Sequence, residues 1–382
     1  MANVIIKNET VIRKELENEH ENENREKEAI IDGKISYNPK QLEKWSGIYG
    51  IVGHHSAVHV CKYTKDSLHG KGGCYKNKFY GIDTHKCAEM SPAAAWCHEA
   101  CVFCWRPMEW YSRVSMPENM VDDPDYIINE TVRVRKKLLS GFGGDKKVAR
   151  ELFNKVYNEF PSHWAISLSG EPTIYPKIGK LIKQLKNTKG VKSVFLVSNG
   201  QEPDVLLKMK EENALPTQLY ISIDASNEDM FKKINRSIYK DGWQRLMRTI
   251  KEVLPVLPTR RVLRYTLIKG INDLEQFDME YASIYESSYA DYIEIKAYMF
   301  LGQSRKRLNI ENMPTFEHVK EYAKRLVNYL PSYSIIKEEK RARIVLLKRK
   351  DSPFNDIIKS SEALDSLKDK SLIPKSWCLA KS

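Results

Sequence analysis

The chain has 382 residues, with 62 Lys and Arg against 50 Asp and Glu, a formal net charge of +12 and 42% hydrophobic residues. That composition excludes a low-complexity polymer and fits one large globular unit that buries its core without disulfide staples. No run reaches the roughly 18 apolar residues of a membrane helix, and the N-terminus lacks the basic start, apolar stretch and small-residue cleavage site of a secretory signal, so a cytoplasmic protein with no membrane attachment is expected.

Residues 1–32 carry nine acidic and five basic side chains. This Glu/Asn-rich opening has too little apolar surface to offset the entropy of ordering it, so an acidic, flexible leader over 1–44 is expected. Residues 45–96 read as loop-rich, with Gly47, Gly50, Gly53, Gly70, Gly72, Gly73 and Gly81 scattered among Cys61, Cys74 and Cys87. From residue 164 onward β-branched or aromatic runs recur: WAISL (164–168), SVFLVS (193–198), LYISI (219–223), VLRYTLI (262–268), YIEIK (292–296) and RIVLL (343–347). Between them, apolar residues at three- and four-residue spacing mark helices, as in Ile178, Leu181, Ile182 and Leu185, or Phe316, Val319, Tyr322, Ala323 and Leu326. Strand then helix, repeated, builds a parallel sheet. With one more strand before Cys97, the predicted fold class is α/β, a partial (β/α)6 TIM-like barrel with an N-terminal cysteine-rich, loop-rich extension. The expected organisation is one domain over 45–350, with the extension at 45–96 and the barrel at 97–350, followed by a C-terminal helix or tail over 351–382.

Six of the seven cysteines fall between Cys61 and Cys104. In a reducing compartment such crowding points to metal ligation over disulfides. WCHEACVFCWRP sets Cys97, Cys101 and Cys104 in a C-x3-C-x2-C loop. Three thiolates fall short of a tetrahedral zinc site unless a distant histidine joins them, but they hold three corners of an iron–sulfur cubane and leave its fourth iron open. Cys61, Cys74 and Cys87, in a C-x12-C-x12-C arrangement, lack the short ligand spacing of zinc fingers. They read as a second cluster, as buried structural thiols, or as a zinc site shared with His54, His55, His59, His69 or His85. Ser169, Gly170 and Glu171 follow the strand WAISL, Ser198 and Asn199 end the next, and Ser222 and Asp224 the one after. These residues suit either turn chemistry or ligand contact. Basic residues group at 133–137, 232–240, 260–264, 305–307 and 337–350, which read as solvated faces or as a polyanion-binding surface. Cys378 reads as a packed or free thiol.

The cysteine loop followed by βα repeats resembles the radical S-adenosylmethionine superfamily, in which the open iron chelates S-adenosylmethionine and its reductive cleavage yields a 5′-deoxyadenosyl radical. SGEPT is similar to that superfamily's glycine-glycine-glutamate motif, with Ser169 in place of the first glycine. The resemblance implies cofactor contacts from Gly170, Glu171, Ser198, Asn199, Ser222 and Asp224. The two triads together with EMSPAAAWC, CVFCWRP, SGEPT and INRS ahead of Trp243 resemble, over roughly residues 45–350, the tRNA 4-demethylwyosine synthase family of stand-alone archaeal type. That resemblance implies condensation of N1-methylguanosine-37 of phenylalanine tRNA with pyruvate. It implies two [4Fe-4S] clusters, on Cys97, Cys101 and Cys104 and, as the auxiliary site, on Cys61, Cys74 and Cys87. It also implies that Lys76 meets pyruvate as an imine or as a hydrogen-bonding cation, with the anticodon loop as partner and a monomer as the acting form. A flavodoxin-like domain, fused in eukaryotic members, has no room in the leader, so an external flavodoxin- or ferredoxin-type donor is expected. Rival readings are a two-cluster radical enzyme acting on a peptide or small molecule, and a non-catalytic zinc-containing RNA-binding protein.

Overall fold

A computed structural model describes residues 29–112 and 115–358. Most of the expected leader, nearly all of the expected C-terminal tail, and Cys378 lie outside the described residues. The chain opens with the hairpin β1 (Ala29–Ile31) and β2 (Lys34–Ser36). Asp32 and Gly33 turn it with φ of 51° and 73°, the left-handed pair that a two-residue hairpin loop demands.

Ten further strands form one sheet: β3 (Gly50–Val52), β4 (Ser56–His59), β5 (Cys87–Ser91), β6 (His163–Ile166), β7 (Ser193–Ser198), β8 (Gln218–Ser222), β9 (Arg260–Leu267), β10 (Tyr292–Ala297), β11 (Tyr333–Glu339) and β12 (Ile344–Arg349). Their order is β11-β12-β10-β9-β8-β7-β6-β5-β4-β3. The middle six, β5 to β10, are parallel neighbours, which gives the strand count expected of a partial barrel. Both edges depart from the predicted rhythm. RIVLL lies in β12, which pairs antiparallel with β10 and with β11, a strand the sequence pattern did not announce. The short link from β11 to β12 allows a hairpin, whereas a parallel return needs a crossover of a dozen residues or more. At the other edge the stretch read as loop-rich supplies β3 and β4, with β3 pairing antiparallel to β4 and β4 antiparallel to β5, and the helices α1 (Pro39–Ser46), which begins inside the predicted leader, α2 (Lys62–Leu68) and α3 (Tyr75–Tyr80).

Alternation along the strands sorts side chains to two faces. On one, Met90, Ile166, Leu196, Ile221, Leu263 and Ile295 join the large core covered by the crossover helices. Among these are α4 (Pro124–Leu139), α6 (Ile178–Asn187) and α11 (Phe316–Val327). The helical spacing read at Ile178, Leu181, Ile182 and Leu185 buries all four, each contributing about 1.5–3 kcal/mol of transfer free energy. On the other face Phe195, Tyr220, Val262, Tyr292, Ile344 and Leu346 pack against Tyr75, Phe79 and Tyr80 of α3. This inner face is where the chemistry gathers. The basic run 260–264 is removed from the surface by its place in β9. Arg260 and Arg261 are buried, and Arg261 is paired with buried Asp291 at 3.0 Å.

Candidate active site

The C-x3-C-x2-C loop follows β5 at the C-terminal end of the parallel strands. Its backbone is fastened from three sides. The Ala100 and Val102 amides donate to the carbonyls of Asn235 (3.0 Å) and Ile234 (2.8 Å), at the end of α8 (Glu228–Ile234). Ile238 N donates to His98 O at 2.9 Å, and Gln303 N donates to Trp105 O at 3.1 Å. The Arg307 guanidinium donates to Val102 O at 3.1 Å and also to Cys104 O, while pairing with Glu109. Gly170 has φ +69°, and a Cβ there would strike the carbonyl oxygens of Ala93 and Trp96. Glycine is required because the strand end and the chain entering the loop touch backbone to backbone.

The three thiols are thereby held close to one another. Cys101 is pushed up by burial, then by Glu99 and by Cys97 and Cys104, and Cys104 is pushed up by burial. Ionising such a set requires a compensating positive charge, which iron supplies. Among the described residues no three His, Cys, Asp or Glu side chains close on a single metal ion. A cubane asks for a wider triangle, because each thiolate binds a different iron.

At the strand ends, the buried Glu171 carboxylate accepts from Thr173 N (3.0 Å), Thr173 Oγ1 (2.7 Å) and Asn199 N (2.7 Å). Burial pushes it up despite these bonds. Ser198 Oγ accepts from Gly200 N (3.0 Å), and Asn199 Oδ1 accepts from Gln201 N (3.1 Å). Ser222 is half-buried at the end of β8. Asp224 accepts from Thr266 N at 2.8 Å through Oδ1, and burial raises it to about 7. Three buried polar atoms here, Asp224 Oδ2, Asn199 Nδ2 and Asn235 Oδ1, have no hydrogen-bond partner among the described residues. Leaving such atoms buried and unmet costs about 1–3 kcal/mol each, so their presence beside a three-thiol loop fits a site for a polar cofactor. Asn235, within INRS, also donates to Glu99 at 3.2 Å and comes within 4.0 Å of Cys101 Sγ. Nothing in the INRS pattern announces that contact, because it depends on how α8 docks against the cysteine loop.

The second triad is assembled from separate elements. Cys61 precedes α2, Cys74 caps α3 and Cys87 opens β5. Cys74 Sγ accepts from Lys76 N at 3.3 Å, while the Cys74 amide donates to Thr84 Oγ1 at 3.0 Å. Burial pushes Cys74 up to about 11. Burial then Cys61 push Cys87 up, with Lys76 pulling the other way, so the three thiols and the lysine share one neighbourhood. Lys76 is 8% exposed, with Nζ 4.6 Å from the Phe195 ring centroid and 5.0 Å from that of Tyr220. Beside it on the inner face Arg264 pairs with Glu294 and donates to Tyr75 Oη at 2.6 Å, and Tyr80 Oη donates to Glu294 at 2.6 Å. Lys296 donates to Ala342 O at 2.8 Å, and burial then Arg264 bring it down to about 8. These inner-face ions went unread in the sequence, because nothing in a strand pattern says which charged residue faces inward. All five histidines offered for zinc have other partners: His54 with Asp122, His59 with Glu89, His69 with Asp145, His55 with Pro92 O and His85 with Ser67 Oγ.

An open α/β sheet of six parallel strands with a three-cysteine loop after the first of them, and residues 92–281 matching the Radical SAM superfamily model, define a radical S-adenosylmethionine protein. Residues 287–349 match the model described as wyosine base formation. The chain is 42% identical over 334 residues to the S-adenosyl-L-methionine-dependent tRNA 4-demethylwyosine synthase of Pyrococcus abyssi, covering 86% of this chain and 95% of that one. It is 36% identical to the mouse enzyme TYW1 over 79% of this chain and 40% of the longer mouse protein. A solved structure of TYW1 with a lysine-pyruvate adduct bound superposes with a TM-score of 0.71 at 32% identity, covering 82% of this chain and 96% of that one. The crystal structure of archaeal TYW1 gives a TM-score of 0.65 at 30% identity, with the same coverage. The chain belongs to the tRNA 4-demethylwyosine synthase family. No helix among the described residues is long and apolar enough to cross a membrane.

Proposed function

We propose that this protein condenses N1-methylguanosine-37 of phenylalanine tRNA with pyruvate to form 4-demethylwyosine, using S-adenosylmethionine and two [4Fe-4S] clusters. Cys97, Cys101 and Cys104 would hold the first cluster and Cys61, Cys74 and Cys87 the second. When bound, the first cluster supplies electrons, received from an external flavodoxin- or ferredoxin-type donor, for reductive cleavage of S-adenosylmethionine to a hydrogen-abstracting radical. Gly170 lets the strand end close against the loop entry, and Glu171, Ser198, Asn199, Ser222 and Asp224 offer the acceptors and donors for the amino acid and ribose of that co-substrate.

The observation that carries the pyruvate step is the place of Lys76. It is a buried amine on the inner face, beside three thiols, and among the described residues no carboxylate lies within ion-pair distance of it. Held over the Phe195 and Tyr220 rings, this amine is placed either to hold a carboxylate or to attack a keto carbon.

The test is made on anaerobically reconstituted protein. Wild type should hold about eight irons, and Cys61→Ala with Cys74→Ala and Cys87→Ala about four. Borohydride with labelled pyruvate should leave the label on the peptide containing Lys76. Lys76→Arg should lose both the label and the tricyclic product. Product formed by Lys76→Arg removes the imine, and zinc in place of iron, or an iron count untouched by the triple change, removes the auxiliary cluster and the pyruvate chemistry with it.

A further inference from the structure

Of the five basic groups in the sequence, the structure brings two to the cysteine loop. Segment 232–240 reaches it through the bonds from Ala100, Val102 and Ile238, and segment 301–307 through Gln303 and Arg307. In the other three, several of the basic side chains are engaged elsewhere. Arg260 and Arg261 are buried in β9, Arg135 donates to the carbonyls of His85 and Cys87, and Lys337, Arg341 and Lys348 pair with Asp356, Asp66 and Asp356. By contrast Lys240, Arg305 and Lys306 are exposed and form no ion pair with a carboxylate among the described residues. These segments and the end of the cysteine loop expose large apolar side chains: Ile238 at 47%, Leu301 at 40% and Trp105 at 42%. Trp105 is not a loose surface residue. Its carbonyl is bonded to Gln303 N and is met so closely by Gly302 that a Cβ there would strike it, and Arg106 stacks 3.6 Å from its ring centroid.

We infer that this rim around the cysteine loop is the docking surface for the single-stranded anticodon loop, with Lys240, Arg305 and Lys306 on its phosphates and Trp105 offering a stacking face to a base beside the reacting one. The inference rests on the tRNA reading above and selects the surface of this chain that carries it. Unpaired cations interleaved with an exposed, immobilised aromatic ring match a single strand, whose phosphates are regularly charged and whose unstacked bases all present a π face.

The experiment compares holoenzyme with Lys240→Glu/Arg305→Glu/Lys306→Glu, with Lys337→Glu/Lys340→Glu as the distant basic control, and with Trp105→Ala and Trp105→Phe. The readouts are affinity for phenylalanine tRNA across a salt series and 5′-deoxyadenosine released without tRNA. The rim triple should lose tenfold or more in affinity and about two from the log-log salt slope, at roughly 0.7 per single-strand phosphate contact. The distant control should bind as wild type. Trp105→Ala should lose about tenfold with an unchanged slope and Trp105→Phe much less, since a ring remains to stack on. In all four, 5′-deoxyadenosine release should match wild type, which separates a docking loss from damage to the neighbouring loop. A rim triple that binds with wild-type affinity and slope overturns the inference and leaves the tRNA reading standing. Wild-type protein without salt-sensitive tRNA affinity overturns both.

Discussion

The two cysteine triads reach similar burial by opposite routes. Cys97, Cys101 and Cys104 lie on one loop of eight residues, and the rest of the fold only has to hold that loop still, through Ile234, Asn235, Ile238, Gln303 and Arg307. Cys61, Cys74 and Cys87 span 27 residues and sit at the starts of α2, α3 and β5. No local segment contains that second site. It exists only when α3 is docked on the inner face by Arg264 and Glu294 and when the turn before Cys87 is seated against β6. The first triad should therefore tolerate loosening of the extension, and the second should fail first when packing on the inner face is disturbed.

The largest effect should come from Gly170→Ala. With φ at +69° and the carbonyls of Ala93 and Trp96 in the way, the new methyl must displace the loop entry. The expected result is loss of about four irons and of S-adenosylmethionine cleavage, with the second triad still loaded; metal analysis and 5′-deoxyadenosine assay decide it. A variant that retains full cleavage would show the loop to be less tightly set than its contacts imply.

Arg264→Met attacks the other side of the comparison. It strands the Glu294 carboxylate in the interior and removes the donor to Tyr75, at a cost of about 3–5 kcal/mol. Melting temperature should fall, and the iron lost on mild chelation should come from the second cluster. Arg264→Met combined with Glu294→Leu should recover much of the stability, because no charge is then left unpaired.

The smallest effect is a pH dependence. His163 donates from Nδ1 to Ser193 Oγ (2.7 Å) and accepts at Nε2 from Asp83 N (3.1 Å), just ahead of Cys87, so the fold uses its neutral form. Burial lowers it to about 4 from an ordinary 6.5. Between these values the unfolded chain binds the extra proton, so stability is full above about pH 6.5 and declines as pH falls toward 4, by about 3 kcal/mol in total. His163→Gln should flatten that slope in denaturant titrations at pH 7 and 5; an unchanged slope would assign the acid sensitivity to another group. Buried His55, lowered by burial and bonded to Pro92 O and Asp122 N, is the corresponding group on the side of the first triad.

Much of the fold was legible from the chain. SVFLVS lies at residues 193–198 as β7, and the other four parallel runs from WAISL to YIEIK fall within two residues of their strands, because a β-branched run between turn residues has few other outcomes. The edges were not legible. Whether RIVLL returned parallel or antiparallel depended on whether a helix or a hairpin preceded it, and Tyr333–Glu339, whose charged end lowers its strand signal, concealed the hairpin. Gly170 allows close backbone approach by its residue type, and in the fold that approach is to the carbonyls of Ala93 and Trp96, which no local pattern names.

The class of protein and the first triad follow from local patterns in the chain. Three thiols within eight residues meet wherever the loop goes, and alternating strand and helix patterns bury their apolar faces in one architecture. Long-range packing is what brings Cys61, Cys74, Cys87 and Lys76 into one neighbourhood, buries Arg260 and Arg261 while Lys240, Arg305 and Lys306 stay open to solvent, and sets Asn235 beside Cys101. Those outcomes depend on which face a strand residue takes and which helix docks against it, contacts between residues far apart in the chain that no local pattern encodes.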